Sequence, residues 1–161
     1  MSNNYASSNV DMPTMPLDIL SVFNNDNSVV VFDVGGDDDG ALALGQYKQY
    51  FDKYGYEMHF IVNTKRPLTR TNDELIEIAE RIESASRLKF TDIYNNTNLS
   101  DQTDETTLFS GYDEIKMLSK KMGIVIKKNC GIDKALSNVP TNLKDTVFRM
   151  NICILRPWEI Q

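Results

Sequence analysis

The sequence predicts an α/β fold: a mostly parallel sheet in three layers, flanked by helices, with an edge strand at the C-terminal end. Two observations carry this expectation. Short apolar runs alternate with amphipathic stretches of helical length, the mark of β-α-β units joined by right-handed crossovers. Glycine, proline and asparagine clusters then punctuate the points where one run gives way to the next. The 161 residues suit one domain, since domains commonly run to about 100–200 residues.

Residues 1–27 read as an extended lead-in arm, rich in Asn, Ser and Asp and carrying Pro13 and Pro16, with one short helical turn near Leu17–Phe23. Residues 28–161 form a single α/β domain. Its first strand is Ser28–Val34, a β-branched run with the continuous apolar character of a buried parallel strand. Gly35 and Gly36 break it, and Asp37, Asp38 and Asp39 acidify the first turn of a helix. Leu44, Tyr47, Phe51 and Tyr54 form the apolar face of that helix, and Gly55 stops it.

Glu57–Asn63 is the second strand, with His59 as a packing residue in its middle. Thr71-x-x-Glu74 is a capping box that opens the next helix, which buries Leu75, Ile78, Ala79 and Ile82. Leu88–Tyr94 is the third strand, with Asn95-Asn96-Thr97-Asn98 as its polar exit. A third helix carries Leu108, Tyr112, Ile115, Leu118 and Met122 and ends at Gly123. Ile124–Ile126 is a short fourth strand, a brief helix follows near Ile132–Leu136, and Phe148–Leu155 alternates as a half-exposed edge strand.

Composition excludes several classes. Seventeen basic against 23 acidic residues give a net charge of −6, which argues against nucleic-acid binding through a general basic field. The apolar runs fall far short of the roughly 18 residues of a membrane span. Met1–Val10 has neither basic residues nor an apolar core, so no signal peptide is expected. Cys130 and Cys153 lack Cys-x-x-Cys spacing and His59 is the single histidine. That pattern argues against a disulfide scaffold or a zinc site and fits a cytoplasmic protein.

In open parallel sheets ligands bind outside the carboxyl ends of the strands, so the strand exits carry the chemistry. Val30–Gly36 delivers one carboxylate, Asp33, followed three residues later by Gly36. An Asp so placed either belongs to a Mg²⁺ shell, often through a water, or caps the following helix. A glycine there either admits a γ-phosphate to the backbone or only makes the turn. Asp37, Asp38 and Asp39 read as a solvated helix start rather than metal ligands. The second exit sets the Asn63 amide and the Thr64 hydroxyl at the ligand edge, with Lys65 and Arg66 facing phosphates, a partner chain or solvent. At the third exit, Asn95 and Asn96 offer amides that both donate and accept, which suits an adenine edge and equally suits a turn.

Together these exits resemble the second half of ATP-binding P-loop proteins of the ParA/MinD type, within the SIMIBI class, and in particular a bacterial group of them. Val-Val-Phe-Asp-Val-Gly-Gly at 30–36 is similar to the Walker-B and switch-II strand. Ile-Val-Asn-Thr-Lys-Arg-Pro at 61–67 is similar to the next strand exit, and Asp-Ile-Tyr-Asn-Asn-Thr-Asn at 92–98 to the base-side strand. Tyr5-Ala6 and Asn9–Pro13 look like that group's lead-in, so the resemblance covers nearly the whole chain. It implies an incomplete P-loop NTPase-like fold with ATP and Mg²⁺ as cofactors. Asp33 would be the Mg²⁺-side carboxylate acting through water, as well as the catalytic-site Asp. Gly36 would be the γ-phosphate glycine, Asn63 would stand at the nucleotide edge, and Asn95 with Asn96 would face the adenine. Relatives of this type often dimerise around nucleotide, so a homodimer is a further implication.

The departure lies in the phosphate loop. No Gly-x-x-x-x-Gly-Lys-[Ser/Thr] occurs, nor the deviant form with a second early lysine. That loop supplies the N–H cradle, the phosphate lysine and the Mg²⁺ hydroxyl. In the resembling family its strand lies between the Asp-bearing strand and the one matching Glu57–Asn63. Without it those two strands pair directly or leave an open slot. The expectation is therefore a nucleotide-binding half, awaiting a missing N-terminal half or a partner protein, that turns over ATP only when so completed. The alternative is a non-enzymatic protein-interaction module on a P-loop-derived fold. A phosphorylated receiver domain is disfavoured, because Tyr94 and Asn95 rather than a carboxylate end the third strand.

Overall fold

The computed structural model describes residues 17–24, 29–36 and 38–153. The chain divides into two compact units, residues 1–56 with 81–88 and residues 57–80 with 89–161.

In the first unit a 3₁₀ helix spans Leu17–Asn24, where the sequence predicted a helical turn. Two helices follow, α1 (Asp38–Gly45) and α2 (Lys48–Tyr54), in place of the single helix expected. The break falls where the Gly45 backbone closes on the chain near residue 86. A Cβ at Gly45 would lie 2.8 Å from the Ala85 carbonyl oxygen. The Gly45 carbonyl accepts instead from the Arg87 guanidinium, which takes the acceptor that a continuing helix would use. Gly55, at φ 80°, ends α2 as predicted, its N–H donating to Phe51 O at 2.9 Å. The core of this unit is aromatic: Phe23 stacks on Tyr50 at 5.0 Å, and Phe51 meets Phe23 edge-on at 5.4 Å.

Of the predicted strand Ser28–Val34, Ser28 lies outside the described residues and residues 29–34 do not form a strand. Residues 29–35 carry no ladder, and Val29 and Val31 are 94% and 86% exposed. Only Phe32 and Val34 turn partly inward, with Phe32 on Phe23 at 6.0 Å. The physical reason is the lack of a neighbour: a parallel strand is stable when its hydrogen bonds are paired and its faces covered.

The second unit is a four-stranded, all-parallel sheet flanked by helices, in the order β1 (His59–Val62), β2 (Asp92–Asn95), β3 (Val125–Gly131), β4 (Val147–Arg149). Helix α3 (Asn72–Ser86) connects β1 to β2, and α4 (Glu105–Phe109) with α5 (Tyr112–Met122) connects β2 to β3. Right-handed crossovers in this sequential order place the linking helices on one face. Phe60, Val62 and Ile93 are buried there, as are Leu75, Leu108, Ile115 and Leu118. The opposite face carries His59 and Ile61, with Asp92 and Val125 in register beside them; Ile61 and Val125 are more than half exposed.

Helix α3 begins at the predicted capping box. Glu74 N donates to Thr71 Oγ1 at 3.3 Å, and Thr71 N donates back to Glu74 Oε2 at 3.0 Å. The predicted third helix is interrupted at Ser110–Gly111 and ends, as expected, at Gly123 in the left-handed region. The ladder of β2 starts at Asp92 rather than Leu88, and β3 runs on to Gly131 instead of stopping at Ile126. A register shift between Ile93 and Tyr94 leaves Lys127 as an extra residue of β3. The edge strand is present but short, Val147–Arg149 in place of Phe148–Leu155, and residues 154–155 lie outside the described residues. Among the described residues no helix is long and apolar enough to cross a membrane.

Candidate functional site

At the carboxyl edge, the exits of β1 and β2 are tied together by side chains. Asn63 Oδ1 accepts from Lys65 N at 3.0 Å and from Asn98 N at 3.2 Å, while Asn63 Nδ2 donates to the Asn98 carbonyl at 3.2 Å. Thr64 N donates to Thr97 Oγ1 at 3.2 Å, and the two hydroxyls are 3.2 Å apart. The Asn-rich exit is thus a hydrogen-bonded turn whose residues satisfy one another.

Asn95 lies inside this edge. It is fully buried; its Nδ2 donates to Leu108 O at 3.1 Å and Asn129 Oδ1 at 3.0 Å, and its Oδ1 accepts from Thr97 N at 3.1 Å. Its neighbour Asn96 is half-buried, with its backbone N–H on Val62 O at 2.7 Å. Beside the β1 exit a cavity of about 340 Å³ is lined by Thr64, Lys65, Arg70, Ser110, Gly111 and Glu114. Two cations, a carboxylate and two hydroxyls give it a polar wall.

Asp33 and Gly36 belong to the first unit, Asn63, Asn95 and Asn96 to the second. Asp33 is exposed on the non-strand segment. Gly36 is exposed too, and a Cβ there would meet nothing within 4 Å, so no close approach demands glycine. The residues present do not by themselves fit Mg-ATP. Asn95 has spent its amide internally, Asp33 stands on no strand mouth, and the sequence holds no phosphate cradle.

At the amino ends of the strands a second cluster forms, which the sequence reading missed. His59 and Asp92 are register partners on β1 and β2. His59 Nδ1 is 2.6 Å from Asp92 Oδ1, and His59 Nε2 is 3.6 Å from Glu57 Oε2. Lys127 Nζ donates to Glu57 Oε2 at 2.8 Å and to Asp92 Oδ2 at 3.2 Å. The hydrogen bonds to Glu57 and then Asp92 hold the Lys127 ammonium's pKa above the usual lysine value. His59 is therefore not the packing residue predicted: it is about one-third exposed and bonded, and its ring lies 4.8 Å from that of Tyr94. The available signal was Asp92 itself, a carboxylate inside an apolar strand, since such a group is seldom buried unpaired.

Donor atoms of Glu57, His59 and Asp92 lie within 4.8 Å of one another. Against protein families, curated proteins and solved structures, the chain finds no match.

Proposed function

We propose that this chain is the Walker-B-to-base-side half of a ParA/MinD-like nucleotide-binding unit, and that a P-loop segment outside these 161 residues must join it before Mg-ATP can bind. One observation carries the reading. Among the described residues, the apolar segment 29–35 has no strand partner, and β1, at one edge of the sheet, pairs with β2 alone. In the resembling family a P-loop strand is the neighbour of both. Unpaired, exposed strand edges are association sites.

The buried, fully bonded Asn95 favours a second reading, a non-enzymatic interaction module on the same scaffold that takes no nucleotide. Calorimetric titration of Mg-ATP separates the two. The chain alone should give no binding heat. A co-eluting complex with a separately produced P-loop fragment should bind in the micromolar range, and Asp33→Ala should weaken that binding. Binding by the chain alone that Asp33→Ala weakens would show the half to be complete. A co-eluting complex without affinity for Mg-ATP would leave the interaction module standing.

A further inference from the structure

We propose that Glu57 and His59, supported by Asp92, form a site for a divalent transition metal of the Zn²⁺ type at the amino end of the sheet. This site is separate from the carboxyl edge, where a nucleotide would lie. The arrangement is that of a carboxylate-oriented histidine. Asp92, with only 6% of its side chain exposed and held by the Lys127 ammonium, accepts from His59 Nδ1. An Nδ1 engaged by Asp92 leaves Nε2, the ring nitrogen that faces Glu57, as the atom to ligate a metal.

Spacing supports the same assignment. Two ligand atoms bound to one Zn²⁺ at about 2.1 Å each, at a near-tetrahedral angle, stand roughly 3.4 Å apart. His59 Nε2 and Glu57 Oε2 stand 3.6 Å apart. The imidazole is a borderline donor that suits Zn²⁺ rather than Mg²⁺, and the carboxylate beside it is a hard donor that either ion accepts. Glu57 is 65% exposed in its side chain, so water has access to the remaining coordination positions. The site is then an exchangeable one and not a closed structural one.

Lys127 is the resident cation of the cluster. As the bulged residue of β3 it reaches back across β2, and its ammonium neutralises the carboxylates that a metal would need. Metal binding therefore displaces it from Glu57, and its removal should strengthen the site. This runs against the sequence expectation of no zinc site, which rested on cysteine and histidine spacing. Glu57, His59 and Asp92 come together through strand register instead.

The test is calorimetric titration of ZnCl₂ into the full chain carrying Cys153→Ser, which removes the exposed thiol, with folding of each variant checked by circular dichroism. One Zn²⁺ should bind in the micromolar range, undisturbed by millimolar Mg²⁺. His59→Gln and Glu57→Gln should each weaken it by at least about tenfold, the scale on which outer-shell losses already act. Lys127→Ala should tighten it. Zn²⁺ affinity that survives both His59→Gln and Glu57→Gln overturns the proposal. So does the absence of binding in the chain that keeps Lys127, whatever Lys127→Ala does.

Discussion

Asn95 and Asn129 are both fully buried and face each other across the β2–β3 pair, with Asn95 Nδ2 donating to Asn129 Oδ1 at 3.0 Å. The link continues outward: Asn129 Nδ2 donates to Thr146 Oγ1 at 2.9 Å, and Thr146 Oγ1 to Leu143 O at 2.7 Å. Asn95 also holds the Leu108 carbonyl and the Thr97 N–H, so one amide ties the strand exit to α4 and to β3. Every polar atom in this relay has a partner, and such networks are expensive to break at one point.

Asn129→Ala should therefore destabilise the chain by about 1–3 kcal/mol, the cost of leaving a buried donor unsatisfied. Asn95→Ala should cost at least as much, and the double variant less than the sum, because the two residues share a bond. Urea denaturation measures this as a lower midpoint at constant slope. Additive losses would show that the relay is not a unit.

Gly111, at the start of α5, is the second position where packing dictates the residue. A Cβ there would fall 2.2 Å from Thr64 Oγ1 and 2.5 Å from Thr64 Cβ. Gly111→Ala should lose about 1–3 kcal/mol through overpacking. Thr64→Gly in the Gly111→Ala background should recover part of that loss even though Thr64→Gly alone destabilises. A Gly111→Ala variant as stable as the parent would mean that the β1 exit and the α5 start are not in contact in solution.

Much of this organisation was legible in the sequence because it is local. The Thr71–Glu74 capping box, the Gly55 and Gly123 helix stops and the alternation of strands with helices are each written within a few residues. What failed was decided by neighbours. The run at 29–34 has the composition of a buried strand, but a strand needs a ladder partner, and these residues have none. The helix breaks at Gly45 and Gly111 follow from close approaches to Ala85 and Thr64, which no periodicity reveals. The Glu57–His59–Asp92–Lys127 cluster depends on register, and on a bulge that only pairing defines.

The two cysteines should differ sharply in reactivity. Cys130 is buried in β3, and burial pushes its thiol up to about 11, well above its ordinary value. Thiolate is the reactive form, so Cys130 should be inert at neutral pH while the exposed Cys153 reacts. A chromogenic disulfide reagent should therefore titrate one thiol per native chain and two in denaturant. Cys153→Ser should abolish the native reaction, whereas a second fast thiol in the native state would place Cys130 at the surface.

The carboxylates at the helix starts, Glu74 in the capping box of α3 and Asp104 as the N-cap of α4, predict a pH dependence. Backbone N–H bonds from Thr71 and Arg70 to the Glu74 carboxylate lower its pKa from the ordinary 4.5, and the Thr107 N–H does the same for Asp104 at the start of α4. A carboxyl whose folded pKa lies below its unfolded one contributes stability that is present above the unfolded value and lost as pH falls through the folded one. Glu74→Gln should therefore melt below the parent at neutral pH, and the gap should close on acidification below 4.5. Thr71→Ala removes the other half of the box, whose hydroxyl does not titrate. It should cost about 1 kcal/mol, and part of that loss should persist at low pH, where Glu74 is protonated. Thermal melts of the parent, Glu74→Gln and Thr71→Ala between neutral and acidic pH distinguish the two. A Glu74→Gln gap that stays constant across that range would mean that the carboxylate charge plays no part in holding the helix start.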